Sequence, residues 1–182
     1  TNDPAYKRLE AAKAYLVASL GEDRVAIVDF DDTAHLVSGL LNVRVGNEVN
    51  PTLIAAIETI DSVGATNIRD GILVACQELA EHGEAPVRGA ILLTDGQHNV
   101  GDFGTPQECF STNGWPIFAF GFGDADATLL QSVASDTGGE YKLVSDVTSL
   151  VCEFQRVRSL IAGVEPLPCT AYHVDPSLTT SF

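Results

Sequence analysis

Two loops of the sequence carry side chains that could together bind a hard metal ion. Thr66 lies in the loop at 64–71, which opens a segment of helical periodicity, and Asp95 lies in the loop at 92–99, which closes an apolar run. If both segments belong to one parallel sheet, both loops lie at its carboxyl edge. A hydroxyl oxygen and a carboxylate that converge there suit Mg²⁺ or Ca²⁺. Taken singly, Thr66 also fits a helix N-cap, and Asp95 fits a turn beside Gly96.

A second arrangement with catalytic potential is the pair Asp29 and Asp31, in a D-x-D-x-T spacing at the end of another apolar run. It resembles the nucleophile motif of haloacid dehalogenase (HAD) phosphatases. In that family the first Asp attacks phosphorus, the second is a general acid, and Mg²⁺ shields the charge. The family also needs a lysine ahead of a later acidic pair, and no lysine lies between residues 13 and 142. A strand followed by a polar turn fits these residues better.

The remaining polar candidates have simpler interpretations. His98 lies close to Asp95 in sequence and could adjust the rim of a metal site, but a solvated loop residue is the more common role. His35 is assigned no metal role. Asp124 and Asp126 follow a further apolar run and fit a turn and a helix start.

The charge of the chain excludes some classes of partner. Its 182 residues include ten Lys and Arg against 25 Asp and Glu, a net charge of −15. Such a surface opposes binding to nucleic acid or to an anionic membrane. No apolar run has the length of a membrane span, so we expect no direct insertion. The charge fits a salt-adapted surface, a cation-binding protein or plain solubility, and it does not separate them.

The four cysteines, Cys76, Cys109, Cys152 and Cys169, form no C-x-x-C pair, which argues against a zinc site. Cys76 lies on the apolar face of a predicted helix and is interpreted as a core residue. Disulfides are possible in an exported protein, but the spacing does not define their pairing.

Apolar periodicity predicts strands that alternate with helices. The predicted helices are 4–20, 51–60, 67–82, 105–113, 125–137 and 146–162, and the predicted strands are 24–30, 34–38, 90–94, 116–122 and 140–144. This order predicts an α/β protein, a three-layer α/β/α sandwich around a mostly parallel, doubly wound sheet. The strand at 34–38 is expected to be its antiparallel edge.

The order of these blocks resembles a von Willebrand factor type A (VWA) domain. The stretches that carry the resemblance are 8–13, 23–30, 64–68, 91–96, 115–123 and 136–141. The resemblance covers residues 1–162 and implies a Rossmann-like fold. Residues 163–182 are then expected to be a linker and the start of a following, β-rich module.

The resemblance also implies a metal-ion-dependent adhesion site (MIDAS). In that family the site combines a D-x-S-x-S loop after the first strand, a Thr in a second loop and an Asp after the fourth strand. Thr66 and Asp95 match the second and third parts. The first part, with the central strand that carries it, is expected upstream of Thr1, so the domain is interpreted as N-terminally truncated. Loss of that strand would expose backbone groups on both neighbours.

The tail of the chain offers a substitute for the missing loop. Asp175, Ser177 and Thr179 have a D-x-S-x-T spacing after a strand-like segment, and they could replace it by circular permutation. Pro176 and the linker-like residues 164–168 favour the start of the next module instead.

The function that the resemblance implies is protein binding rather than catalysis. A divalent cation, Mg²⁺ rather than Ca²⁺ or Mn²⁺, would leave one position open for an Asp or Glu carboxylate of another protein. The chain would be part of a longer, multidomain protein at the cell surface or outside the cell, although related domains also occur in the cytoplasm. Two alternatives stay open: a metal-independent VWA scaffold, and the phosphatase built on Asp29 and Asp31.

Overall fold

A computed structural model of the protein describes residues 7–61, 63–144 and 150–165. Its elements are α1 (Lys7–Ala18), β1 (Arg24–Phe30), β2 (Ala34–Asn42), β3 (Arg44–Val45), β4 (Glu48–Val49), α2 (Pro51–Glu58), α3 (Ile68–His82), β5 (Ala90–Thr94), α4 (Glu108–Asn113), β6 (Ile117–Phe122), α5 (Ala127–Asp136), β7 (Tyr141–Val144) and α6 (Leu150–Ile161). Within these ranges no helix combines the length and apolarity that a membrane crossing requires. The candidate tail residues Asp175, Ser177 and Thr179 lie outside the described residues.

The central sheet is divided into two parts. β5, β6 and β7 form a parallel sheet in that order, while β1 pairs antiparallel with β2 alone. The predicted α/β class is confirmed, and β2 is antiparallel as predicted, although it extends to Asn42. Among the described strands, none pairs with the edge of β1 or of β5 that faces the break.

Helices cover both faces of the parallel part, with β6 at its centre. All six residues of β6 are buried, as expected for a parallel strand between two helical layers. Ile117 and Ala119 pack with α3, α4 and α5, whereas Phe118 and Phe120 pack with α1 and α6. The alternation of side chains along one strand thus builds two cores and gives three layers.

The apolar residues of β1 are only half-buried, although their sequence resembles that of a buried strand. They lie on one side of the break in the sheet, where Val25 and Ile27 pack toward α1 and α2 and Phe30 packs against α3. A third core cluster, made of Leu16, Val43, Leu53 and Ile57, seals this side of the molecule. The exposure of β1 therefore arises at the break rather than at the outer surface.

A short hairpin between β2 and α2 was not predicted. β3 and β4 have two residues each and pair across Gly46, whose φ of 63° lies in the left-handed region that glycine tolerates. Elements this short show no periodicity in sequence. The other boundaries move by a few residues: α4 begins at Glu108 rather than 105, and residues 146–149 of the predicted last helix lie outside the described residues.

The structure also defines a cysteine pairing that the sequence left open. A disulfide joins Cys76 of α3 to Cys109, in α4. The Cys76 side chain is buried, as predicted for a core residue, but it is covalently bonded as well. Cys152 is also disulfide-bonded. The pairing of Cys76 with Cys109 fixes α4 against the helix that follows the Thr66 loop.

Candidate functional site

Thr66 and Asp95 come together at the carboxyl edge of the sheet. Thr66 lies just before α3, and Asp95 lies directly after β5. A Cβ atom added to Gly96 would approach the Thr66 hydroxyl oxygen to 2.8 Å, so the hydroxyl packs against the backbone of the Asp95 loop. The two residues that the sequence assigned to one site are therefore neighbours in the fold.

Hydrogen bonds from two other loops hold the Thr66 loop in place. The Thr66 backbone N–H donates to Asn99 Oδ1 at 2.8 Å, and the Asn99 N–H donates to the Thr66 carbonyl at 3.2 Å. The Ala65 N–H donates to Asp32 Oδ1 at 2.8 Å. The interpretation of Thr66 as a helix N-cap is wrong, because Asn67 caps α3 with its side chain. The Thr66 hydroxyl is thus not needed for capping.

Arg8 forms an ion pair with Asp95 that sequence reasoning missed. Its Nη1 lies 3.3 Å from Asp95 Oδ1, and its Nη2 donates to the Asp61 carbonyl at 2.6 Å. The side chains of Arg8 and Asp95 are only 16% and 14% exposed. Because Arg8 belongs to the first turn of α1, this contact also brings the start of α1 to the carboxyl edge.

A cavity of about 670 Å³ opens beside these residues, between β1 and β5. Its mouth is acidic, and the carboxylates that line it belong to Asp29, Asp31, Asp61, Asp95 and Asp124. Among the described lining residues, Arg8 is the one arginine or lysine. Burial raises the pKa of Asp29, and the neighbouring charges of Asp31 and Asp61 act in the same direction. The site therefore has a negative field that favours cations.

The inner part of this space is apolar and follows the two strands. Together with a smaller cavity of about 200 Å³, it is lined by side chains of both strand edges and of the covering helices, including Ala26, Val28, Phe30, Ile91 and Leu93. We call this space the β1–β5 cleft. Both strands end at the edge where Thr66 and Asp95 lie, so any strand parallel to them in the cleft would end there too.

The comparison with known families identifies the fold. Residues 9–156 match the model of the von Willebrand factor type A domain. The chain belongs to this family. VWA domains are protein-interaction and adhesion modules and are generally not enzymes.

Two longer proteins are similar in sequence to this VWA chain. It is 31% identical over 142 residues to human calcium-activated chloride channel regulator 4, covering 75% of the chain and 15% of that protein. It is 26% identical over 150 residues to an uncharacterized protein of Synechocystis sp., covering 79% of the chain and 34% of that protein. The chain thus spans about a third or less of the length of these relatives.

The solved structures show the fold. A von Willebrand factor type A protein from Catenulispora acidiphila has a TM-score of 0.72 at 20% identity, covering 89% of this chain and 40% of the other. Proximal thread matrix protein 1 of the mussel byssus, whose MIDAS motif is occupied by zinc, has a TM-score of 0.61 at 18% identity, covering 87% and 44%.

The other polar candidates of this VWA chain take structural positions. The His98 ring packs edge-to-face on Phe103, with centroids 5.2 Å apart and both ring nitrogens buried, so the prediction of a solvated residue is wrong. His35 is exposed and lies 2.8 Å from the Thr33 hydroxyl. Asp126 caps α5, as predicted for a helix start, and Asp124 lines the mouth of the cleft.

Thr66 and Asp95 fit a divalent cation in chemistry but do not complete its coordination. A hydroxyl and a carboxylate are oxygen donors of the kind that Mg²⁺ and Ca²⁺ prefer. Within the described residues, however, no group of three or more His, Cys, Asp or Glu could hold a metal ion. A cation at this edge therefore needs further donors beside these two.

No observation favours a phosphatase at Asp29 and Asp31. Asp29 Oδ1 accepts from the Phe30 N–H at 2.9 Å, and Asp31 Oδ1 accepts from the Thr33 N–H at 3.0 Å. Both carboxylates thus make the local bonds of a strand end and a polar turn. The described side chains that line the cleft include no lysine.

We expect Asp29→Asn to stabilise the VWA chain at neutral pH. Because burial raises the pKa of Asp29 above its ordinary value of 3.8, the folded state holds this proton more tightly than the unfolded state. Stability from this group is therefore full below the ordinary value and falls as pH rises through the folded pKa. The side chain is half-exposed, so the gain at pH 7 should be a few tenths, at most about 1 kcal/mol.

Urea unfolding at pH 7 and at pH 3 measures this effect. The variant and the wild type should differ at pH 7 and coincide at pH 3, where both side chains are neutral. Asp102→Asn, in an exposed loop, is a matched control that should change little at either pH. A loss of stability at pH 7 in Asp29→Asn would show that the carboxylate makes a favourable contact instead.

Proposed function

We propose that this VWA chain binds a divalent cation, Mg²⁺ in the first place, through Thr66 and Asp95, and uses it to bind a carboxylate of a partner protein. The observation that carries the proposal is the contact of the Thr66 hydroxyl with the Asp95 loop at the acidic mouth of the β1–β5 cleft. Asp95 supplies charge, and Thr66 supplies an oxygen without charge. The cation then keeps enough positive charge to attract a partner carboxylate.

Electrostatics make the cation necessary for such a partner. The chain has a net charge of −15, and the mouth of the cleft is itself lined by carboxylates. A partner Asp or Glu would be repelled from this edge without a cation. The zinc-occupied MIDAS motif of the mussel byssus relative supports a divalent cation in this family, while an all-oxygen donor pair favours Mg²⁺ or Ca²⁺ over zinc.

The missing donors are proposed to come from a D-x-S-x-S loop on a strand that fills the β1–β5 cleft. Such a strand would pair with the edges of β1 and β5 that no described strand pairs with, and it would cover their half-buried apolar side chains. Arg8 at Asp95 puts the start of α1 at the carboxyl edge, where a parallel strand would end. Residues that precede Thr1 are therefore the proposed source. The alternative source, Asp175, Ser177 and Thr179, stays a prediction.

Calorimetric titration with Mg²⁺ tests the proposal. The protein is the natural full-length polypeptide that contains residues 1–182, hereafter the extended chain. We expect binding to the extended chain and affinity at least about tenfold weaker in its Thr66→Ala variant. Thr59→Ala is the matched control, because Thr59 lies at the end of α2 and its hydroxyl bonds only the Ala56 carbonyl in the described structure. Equal affinity in Thr66→Ala, or no binding to the extended chain, contradicts the proposal.

A metal-independent scaffold is the second candidate function. The ion pair of Arg8 with Asp95 favours it, because it balances the Asp95 charge without a metal. Partner binding would then survive a chelator, whereas the first proposal requires that it be lost. In either case we propose an extracellular or cell-surface location, which the disulfide bonds of Cys76 and Cys152 support, since disulfides persist in oxidising compartments.

A further inference from the structure

We infer that Asn99 is the residue that positions Thr66 for the cation. The inference rests on the proposed function and adds a role for a side chain that does not itself touch the metal. Asn99 lies in the same loop as Asp95, and it exchanges two hydrogen bonds with the backbone of Thr66. The pair therefore connects the two loops whose side chains form the candidate site.

The position of Thr66 explains why this connection matters. α3 begins at Ile68 and is capped by Asn67, so Thr66 lies before the helix and makes none of its backbone bonds. Its N–H and its carbonyl are both bonded to one residue, Asn99. Two bonds on either side of the Thr66 Cα fix the peptide planes around it, and they thereby fix the direction of the side chain.

The hydrogen bonds with Asn99 also hold Thr66 at a defined distance from Asp95, because Asn99 and Asp95 belong to the same loop. Gly96 follows Asp95 and leaves room for the Thr66 hydroxyl, and Asn99 lies three residues further along the same loop. The Asp95 loop thus contacts the Thr66 hydroxyl at one end and the Thr66 backbone at the other. Partners of metal ligands that fix their orientation typically contribute strongly to metal affinity.

The chemistry of the contact allows a sharp choice of variants. Thr66 N–H needs only an acceptor, which Asn99 provides with Oδ1 at 2.8 Å. Asn99→Asp keeps an acceptor at this place, whereas Asn99→Ala removes it. Asn50→Ala is the matched control, because Asn50 Oδ1 accepts from the Thr52 N–H at 3.0 Å in the cap of α2. It removes the same kind of bond away from the site.

The experiment measures two quantities in the extended chain: hydrogen exchange at the Thr66 amide and Mg²⁺ affinity by calorimetry. In Asn99→Ala, we expect Thr66 exchange to accelerate at least about tenfold and Mg²⁺ affinity to fall about 10- to 100-fold. Asn99→Asp should keep the Thr66 amide exchange rate and the Mg²⁺ affinity within about threefold of the unsubstituted values. Any change beyond this that the added negative charge causes should raise the Mg²⁺ affinity, not lower it. Asn50→Ala should lower the melting temperature and leave both readouts unchanged.

The outcomes separate this inference from the proposed function. The inference about Asn99 is overturned if Thr66 exchange is unchanged in Asn99→Ala. It is also overturned if exchange is faster but Mg²⁺ affinity is unchanged, because Asn99 would then have only a structural role. An Mg²⁺ affinity that is as low in Asn99→Asp as in Asn99→Ala also contradicts the inference. If the unsubstituted extended chain binds no Mg²⁺, the proposed function fails, and the role of Asn99 toward the cation fails with it. The exchange data then still report whether Asn99 holds the Thr66 backbone.

Discussion

Asp95→Ala in the extended chain should abolish the rise in melting temperature that Mg²⁺ produces. A ligand that binds only the folded state stabilises it by mass action, about 2.7 kcal/mol at a concentration one hundred times the dissociation constant. Asp95 is the one described carboxylate that we assign to the cation, so its loss removes a charged ligand that the uncharged Thr66 hydroxyl does not replace. Thermal unfolding with excess Mg²⁺ and with chelator measures the difference.

The matched control for this experiment is Asp124→Ala. Asp124 also lines the mouth of the cleft and has the same charge, but it is not assigned to the cation. It should keep the Mg²⁺-dependent rise. Asp95→Ala also breaks the largely buried ion pair with Arg8, so its melting temperature without Mg²⁺ should fall. The effect of Mg²⁺ is therefore compared within each variant. A full Mg²⁺-dependent rise in Asp95→Ala would contradict the assignment.

Removal of the Cys76–Cys109 disulfide should cost the protein about 3–4 kcal/mol of unfolding free energy. The two cysteines are 33 residues apart, and a crosslink over a loop of this size strongly restricts the unfolded chain. The double variant Cys76→Ala and Cys109→Ala tests this by urea unfolding. Alanine avoids the burial of a new polar group at position 76, which is nearly inaccessible to solvent.

The double variant is preferable to a reducing agent, because Cys152 is disulfide-bonded too and would also be reduced. Ser111→Ala, an exposed change in α4 near Cys109, is a control for helix perturbation and should change stability by less than about 0.5 kcal/mol. An unfolding free energy equal to that of the wild type, or thiol labelling of unreduced Cys76 and Cys109, would contradict the prediction.

The bounds of two strands were predictable from apolar sequence alone. The bounds of β1 and β5 match the predicted 24–30 and 90–94, because each is a continuous apolar run that ends at a polar turn. The hairpin of β3 and β4 was missed, since two-residue strands have no period to detect. The disulfide was also beyond prediction, because four cysteines allow several pairings.

The proximity of Thr66 and Asp95 was predictable, but the contacts around them were not. Thr66 and Asp95 could be brought together by one rule, that parallel strands end at the same edge. Arg8 could not, because it is 87 residues from Asp95 and meets it only through the packing of α1. The capping role of Asn67 and the contacts of His98 likewise depend on loop geometry, which residue types alone do not define.

The most direct test of the central claim is to locate the cation. Titration of the isotope-labelled extended chain with substoichiometric Mn²⁺, followed by amide NMR spectra, reports proximity because the paramagnetic ion broadens nearby signals. We predict that the signals of Thr66, Asp95 and Gly96 broaden first, that those of β7 persist, and that excess Mg²⁺ restores them. Broadening centred on another group of residues, or none at equimolar Mn²⁺, would contradict a cation-dependent binding site at this edge.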